Sequence, residues 1–135
     1  MRYIVLAVGR LRPPYSDDVA HYSKLLARHA RVELIEVRED EQLGRRVPDR
    51  AHVVLLDRHG TTYDSEAFSR FLEERRRAGL DVCFVVGGPY GTTLAREHQL
   101  LSFGPMTLPH QLARVVLLEQ LFRAHKILAG EPYHH

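Results

Sequence analysis

Val82-Cys83-Phe84-Val85-Val86-Gly87-Gly88-Pro89-Tyr90-Gly91 is the stretch on which the reading of the fold turns. Five apolar residues in a row, with no polar alternation, describe a strand covered on both faces, as in a parallel sheet between layers of helix. The run then breaks into glycines. At the C-terminal end of such a strand, Gly87, Gly88 and Gly91 let the backbone approach a ligand where open α/β sheets bind small molecules. A tight turn into the next element accounts for the same glycines, and the spacing alone does not choose between the two.

Working outward, Tyr3–Val8, Val32–Val37, Val53–Leu56 and Leu100–Phe103 read as four more strands, most of them nearly continuous in apolar residues. The first crossover is helical: Ser16 is placed to cap a helix with Val19, Tyr22, Leu25, Leu26 and His29 on one face. Asp64 or Ser65 caps a second, with Ala67, Phe68, Phe71 and Leu72 as its buried stripe, Glu73 to Arg77 as its wet face and Gly79 as its stop. The charged link from Val37 to Val53, broken by Gly44 and Pro48, leaves room for a loop with at most one helical turn. Thr92 or Thr93 starts a short helix through Gln99, and Pro109 opens a long helix that Gly130 ends. Leu112, Val115 to Leu118, Leu121, Phe122, Ile127 and Leu128 cover over half of that last helix, which predicts partners on two sides, its own sheet and a second copy of the chain. The expectation is an α/β fold with a parallel sheet in one domain, residues 1–135.

Bulk properties narrow the function. A chain of 135 residues, 44% hydrophobic, buries a core without disulfides or a structural metal. Apolar runs such as Ile4–Val8 and Val115–Leu118 fall far short of the roughly 20 residues that span a bilayer, so no membrane segment is expected. Gly9-Arg10-Leu11-Arg12 after the first strand is not a secretory signal, which implies a cytoplasmic protein. Cys83, inside its apolar run, reads as a buried, inert thiol. Nine histidines in no zinc spacing, with one cysteine, argue against a metal. A net charge of +2 permits a nucleic-acid partner without requiring one.

A second loop follows a strand end at Phe103-Gly104-Pro105-Met106-Thr107-Leu108. Together with the glycine stretch it forms an apolar slot edged by backbone amides, suited to a ligand with an adenine ring and no phosphate. Leu56 adds a wall and Asp57 a ribose acceptor. A dinucleotide or flavin phosphate would need a glycine-rich cradle after the first strand, where Gly9-Arg10-Leu11-Arg12-Pro13-Pro14 stands instead.

The order FVVGGPYG, then LSFGPMTLPHQLARVVLLEQLFRAHKILAGEPYHH, together with an N-terminal MRYIVLAVGRLR and a VELIEV strand, resembles the SPOUT-class bacterial large-subunit ribosomal RNA pseudouridine N3-methyltransferases (the RlmH family) over nearly the whole chain. The resemblance implies a parallel α/β fold with a C-terminal trefoil knot, S-adenosylmethionine bound in the knot, and a homodimer. It implies that Leu56, Gly87, Phe103, Gly104, Pro105, Met106, Thr107 and Leu108 contact the cofactor, and that Glu119, Arg123, Tyr133 and His134 form the catalytic and RNA-facing set. The implied substrate is a pseudouridine of 23S rRNA, presented by the assembled ribosome.

Physical chemistry is consistent with those roles. Methyl transfer from a sulfonium needs an aligned nitrogen and the loss of its proton. His134 titrates near neutrality and reads as base or base orienter, and Tyr133 as a stacking or hydrogen-bonding partner of the target base. Glu119 and Arg123, four apart on one helix face, read without the resemblance as a plain surface ion pair, and Arg114 equally as a phosphate contact or a solvated side chain. Two departures from the family pattern stand out: the short Glu39–Arg50 link lacks a helical segment, and His135 stands where a lysine or arginine commonly follows. A noncatalytic RNA-binding or assembly module that retains the fold is the alternative they leave open.

Overall fold

The computed structural model describes residues 1–88, 92–96 and 98–133. The described chain runs β1 (Arg2–Val8), α1 (Tyr15–Leu26), β2 (Arg31–Val37), a 3-10 turn (Asp40–Gln42), α2 (Leu43–Arg46), β3 (His52–Thr62), α3 (Ser65–Arg77), β4 (Val82–Val86), β5 (Gln99–Ser102) and α4 (His110–Leu128). The strands form one sheet in the order β2-β1-β4-β3-β5, with every pairing parallel. All five C-terminal ends therefore lie along one edge, where ligands of open parallel sheets bind. The expected α/β class and the β4 boundaries match.

Both faces of the sheet are covered, which is why its strands are written as continuous apolar runs. On one face Tyr3, Val5, Ala7, Val54, Phe84 and Val86 pack under Val19 and Leu26 of α1, Phe68, Phe71 and Leu72 of α3, and Leu117, Leu118, Leu121 and Ala124 of α4. On the other, Ile4, Leu6, Val53, Leu55, Cys83 and Val85 pack under Leu43, Val47, Ala51 and Leu94. The charged link, expected to be a loop with at most one helical turn, is more helical than that: the 3-10 turn runs straight into α2 over Asp40 to Arg46, and Leu43, Val47 and Ala51 of the link cover the second face of the sheet. Burial pushes the Cys83 thiol up to about 12, so it stays protonated and inert, as read from its apolar run.

Several local expectations are corrected. Helix α1 begins at Tyr15, after a cis Pro13–Pro14 peptide, with Pro14 at the cap and no side-chain cap bond, so Ser16 lies inside the helix; Asp17 and Asp18 in the first turn favour the helix dipole instead. Between Asp64 and Ser65, Asp64 is the cap of α3, its Oδ1 accepting from the Ala67 N–H at 2.7 Å. Residues 92–96 are not helical, and β5 starts at Gln99 where that helix was to end. Pro109 occupies the cap of α4, one residue before the first helical position. Strand β3 is longer than the apolar run that announces it. It pairs with β5 through Leu56↔Leu101, leaves the ladder over residues 57–60, and resumes at Thr61↔Leu101. There Gly60 lies against β5: a Cβ on it would stand 2.5 Å from the Leu100 carbonyl carbon and 2.6 Å from the Leu101 nitrogen.

Helix α4 lies between α1 and α3 and runs antiparallel to the strands. Its first turn reaches the C-terminal edge, where Gln111 Oε1 accepts from the Arg12 N–H at 2.9 Å. Its last turn reaches the start of β1, where His125 Nε2 and the Tyr3 hydroxyl are 2.7 Å apart.

Candidate functional site

The loops at the strand C-termini carry the residues expected to hold a ligand. At the end of β4, a Cβ on Gly87 would run into the Thr92 side chain, and one on Gly88 would stand 3.2 Å from Asp40 Oδ2. Asp40, on the 3-10 turn after β2, accepts from the Gly88 N–H at 3.2 Å and from the Thr92 hydroxyl at 2.5 Å. The glycines are thus required by close approach, and part of that approach is made by the chain's own carboxylate.

At the end of β5, the Ser102 hydroxyl accepts from the Gly104 N–H at 3.0 Å and donates to the Arg58 carbonyl at 3.1 Å, tying the loop to the excursion of β3. Phe103 and Gly104 line a cavity of about 490 Å³. That is the size range of small-molecule sites, roughly 300 to 1,000 Å³. Phe68, Leu101 and Val116 form its apolar side; Thr62, Asp64, Ser65, Ser102 and Gln120 form its polar side. None of these described walls carries positive charge, so the cavity suits a ligand without phosphate better than a nucleotide phosphate. Leu56, Gly87, Pro105, Met106, Thr107 and Leu108 are not among its walls. Met106 is 83% exposed and Phe103 37%, so the loop is not closed over by its own chain. Gly87 ends a strand two places from β5, about 10 Å away at the usual strand spacing. Asp57 turns onto its own loop, its Oδ1 accepting from the His59 N–H at 2.8 Å.

The residues expected to carry chemistry converge on the outer side of α4. Glu119 binds the Arg123 guanidinium at 2.8 Å and accepts from the Tyr133 hydroxyl at 3.1 Å. The guanidinium also lies over the Tyr133 ring, 4.4 Å from its centroid, and Phe122 meets that ring edge-on at 5.1 Å. Desolvation, with the adjacent Glu119 charge, pushes the Tyr133 phenol up to about 12, so it stays a donor at neutral pH. The hydrogen bond to Glu119 raises Arg123 further above its ordinary value. The i,i+4 pair is therefore the dock of the C-terminal tail rather than an isolated surface bridge. Gln120 links this cluster to the cavity: its Nε2 donates to Glu119 at 2.8 Å, and its Oε1 accepts from the Ser65 hydroxyl at 2.7 Å. His134 and His135 lie outside the described residues.

Arg114 resolves neither as a phosphate contact nor as a solvated side chain. It is 3% exposed. Its guanidinium donates to the Val8 and Gly9 carbonyls at 2.6 and 2.7 Å and to Glu36 at 2.8 Å, and Glu36 in turn accepts from the Leu11 N–H at 3.0 Å. The clamp fastens the ends of β1 and β2 to α4. Sequence reasoning also missed Asp40, Gln120 and Gly60. An isolated glycine amid strand residues is a signal of close backbone approach, and Gly60 carried it.

Among the described residues no group of histidine, cysteine and carboxylate side chains is arranged to hold a metal ion, and no helix is long and apolar enough to cross a membrane.

Comparison with known proteins agrees with this architecture. Residues 1–134 match the family model described as "Predicted SPOUT methyltransferase". A ribosomal RNA large subunit methyltransferase H from Rubrobacter xylanophilus is 46% identical over 154 residues, covering 98% of each chain. Proteins of the same name from Gemmatimonas aurantiaca and Thermotoga neapolitana are 39% and 36% identical, covering 99% and 100% of each chain. The last alignment spans 151 positions against 135 residues here, so at least 16 of them (151 − 135) are filled in that relative alone. That difference in length fits a shortened link without disturbing the end-to-end match, and a match of this extent, on a parallel sheet of this order, makes the chain a member of the SPOUT methyltransferase family.

Proposed function

We propose that this protein is an S-adenosylmethionine-dependent methyltransferase of 23S ribosomal RNA, acting on N3 of a pseudouridine in assembled ribosomes in the cytoplasm. The observation that carries the reading is the docking of the tail: Tyr133 is fastened to Glu119 and Arg123, one residue along α4 from Gln120 on the cavity wall. Relatives named as ribosomal RNA methyltransferases supply the substrate class, and the C-terminal motif supplies the nucleotide.

The cofactor, when bound, provides a methyl group made electrophilic by its sulfonium. Backbone at Gly87 and the Phe103–Leu108 loop would hold it; of these only Phe103 and Gly104 line the cavity, whose uncharged or acidic walls would tolerate its positive charge. The chain's own task is to bring a nucleophilic nitrogen into line and to remove its proton. Glu119 and Arg123 fix Tyr133, and His134, the next residue in the sequence, is the proposed base or base orienter. The Tyr133 hydroxyl, its one hydrogen given to Glu119, leaves its ring for stacking on the target base and its oxygen as an acceptor.

A single domain with a trefoil knot and a homodimer belong to the same proposal. The knot rests on the resemblance of the C-terminal motif and on membership of the family. The dimer is supported by the exposed Phe103, Met106, Ile127 and Leu128, apolar surface that one chain leaves uncovered. A monomeric mass by light scattering at micromolar concentration would sink the dimer.

The decisive assay incubates the protein with labelled S-adenosylmethionine and ribosomes lacking the modification, then maps the labelled nucleotide by mass. His134→Ala is expected to abolish transfer and to leave cofactor affinity within a few fold; equal loss of both moves His134 into the binding site. The shortened link favours one second reading, a noncatalytic RNA-binding or assembly module, and failure to bind the cofactor at millimolar concentration in calorimetry would select it.

A further inference from the structure

The glycine strand end after β4 is held by a residue from far along the sheet. Asp40 follows the end of β2 by three residues, and β1 separates β2 from β4. The 3-10 turn spans that gap and arrives pinned. Gln42 Oε1 accepts from the Arg38 and Glu39 N–H groups at 2.9 Å each, and Leu43 beside it is fully buried against the second face of the sheet. A carboxylate carried on so fixed a turn is preorganised, and its contacts cost little further ordering.

Those contacts fall on the loop and nowhere on a charge partner of its own element. Oδ1 accepts from the Gly88 N–H at 3.2 Å and from the Thr92 hydroxyl at 2.5 Å. Thr92, so held, is the neighbour that a Cβ on Gly87 would strike. One carboxylate therefore sets the direction of the Gly88 amide and the wall that leaves room only for glycine at 87.

We propose that Asp40 is a positioning residue for the cofactor loop, holding the Gly88 N–H and the Thr92 hydroxyl so that the backbone at Gly87 keeps the shape that receives the ligand. The proposal rests on the reading that Gly87 lines the S-adenosylmethionine site. It makes the link between β2 and β3, which otherwise only covers the core, a determinant of cofactor affinity.

The test uses the full chain, calorimetry with S-adenosylmethionine, thermal melting, and amide exchange at Gly88 by NMR without cofactor. Asp40→Ala is expected to bind about tenfold more weakly, the scale of losing charge-assisted hydrogen bonds, with a melting temperature close to that of the unmodified protein and faster exchange at Gly88. Asp40→Asn keeps an acceptor oxygen and is expected to restore affinity to within about threefold. Unchanged affinity in Asp40→Ala, or an Asn variant as weak as the Ala variant, overturns the proposal. If Asp40→Ala does not fold, Thr92→Val removes one donor alone; it is expected to weaken binding and to speed Gly88 exchange, and no change in either overturns the proposal. Absence of binding by the unmodified protein would instead refute the cofactor reading, and the exchange rate at Gly88 would still report whether Asp40 holds the loop.

Discussion

Tyr133 donates its phenolic hydrogen bond to Glu119, 14 residues earlier in the chain, and lays its ring beneath the guanidinium that pairs with the same carboxylate. A hydrogen bond to a charged acceptor is worth about 1.5 to 3 kcal/mol. Tyr133→Phe keeps the ring contacts with Phe122 and Arg123 and loses only that bond. Single-turnover methylation of unmodified ribosomes is expected to slow by about tenfold or more, with cofactor affinity unchanged. An unchanged rate would separate the Tyr133 hydroxyl from the chemistry.

Arg114→Met removes the buried end of a clamp and leaves the Val8 and Gly9 carbonyls without their donor. Stripping one partner from a buried ion pair costs about 3 to 5 kcal/mol. Glu36 is 37% exposed and regains some water, so about 2 to 4 kcal/mol is expected here. Denaturant titration should show a lower midpoint with little change in slope. Arg114→Lys, lacking the planar fork, is expected to recover under half of the loss. Stability equal to the unmodified protein would mean that the clamp contributes nothing net.

Gly60→Ala puts a methyl group into the backbone of β5, with Leu100 and Leu101 nearer than any relaxed contact. Neither strand can yield without breaking the β3–β5 ladder. A loss of at least about 3 kcal/mol is expected, at the severe end for a single added methyl. The same change at Gly44, where nothing lies within 4 Å of the new Cβ, serves as the control.

His125 gives the fold a pH dependence of definite sign. Burial, and then the charge of His29, push its imidazole down to about 4, while Glu73 opposes them and the Tyr3 hydroxyl faces Nε2. The unfolded side chain takes its proton near 6.5. Between those values the unfolded state binds more protons, so stability is fully present above about pH 6.5 and falls as the pH drops toward 4, by at most about 3 kcal/mol. His125→Gln should flatten the melting temperature across that window. Parallel curves for the two proteins would assign the acid sensitivity elsewhere.

What could be read from the amino acids follows from which forces leave a local pattern. Burial on both faces writes continuous apolar runs, so β1 and β4 were plain, and Gly79 and Gly130 stop their helices with positive φ as expected. Strand β3 read as four residues because Asp57 to Thr62 is polar; the ladder continues anyway, since backbone pairing is indifferent to the side chains above it. The expected helix from Thr92 fails in the described residues 92–96 because the Thr92 hydroxyl is drawn to Asp40, a partner 52 residues away that no window contains. Spacing gave the Glu119–Arg123 pair, but not the bond that Tyr133 makes to it. Arg114 sat between apolar neighbours, a hint of burial that two incompatible readings obscured.

Residues 117 to 124 of α4 supply Leu117, Leu118, Leu121 and Ala124 to a face of the sheet whose other strand and helix partners all come earlier in the chain. During synthesis the strands emerge first, so that face stays exposed, with no cover between α1 and α3, until α4 follows. That apolar face is therefore the last of the core to close during translation, and it closes only when one helix docks.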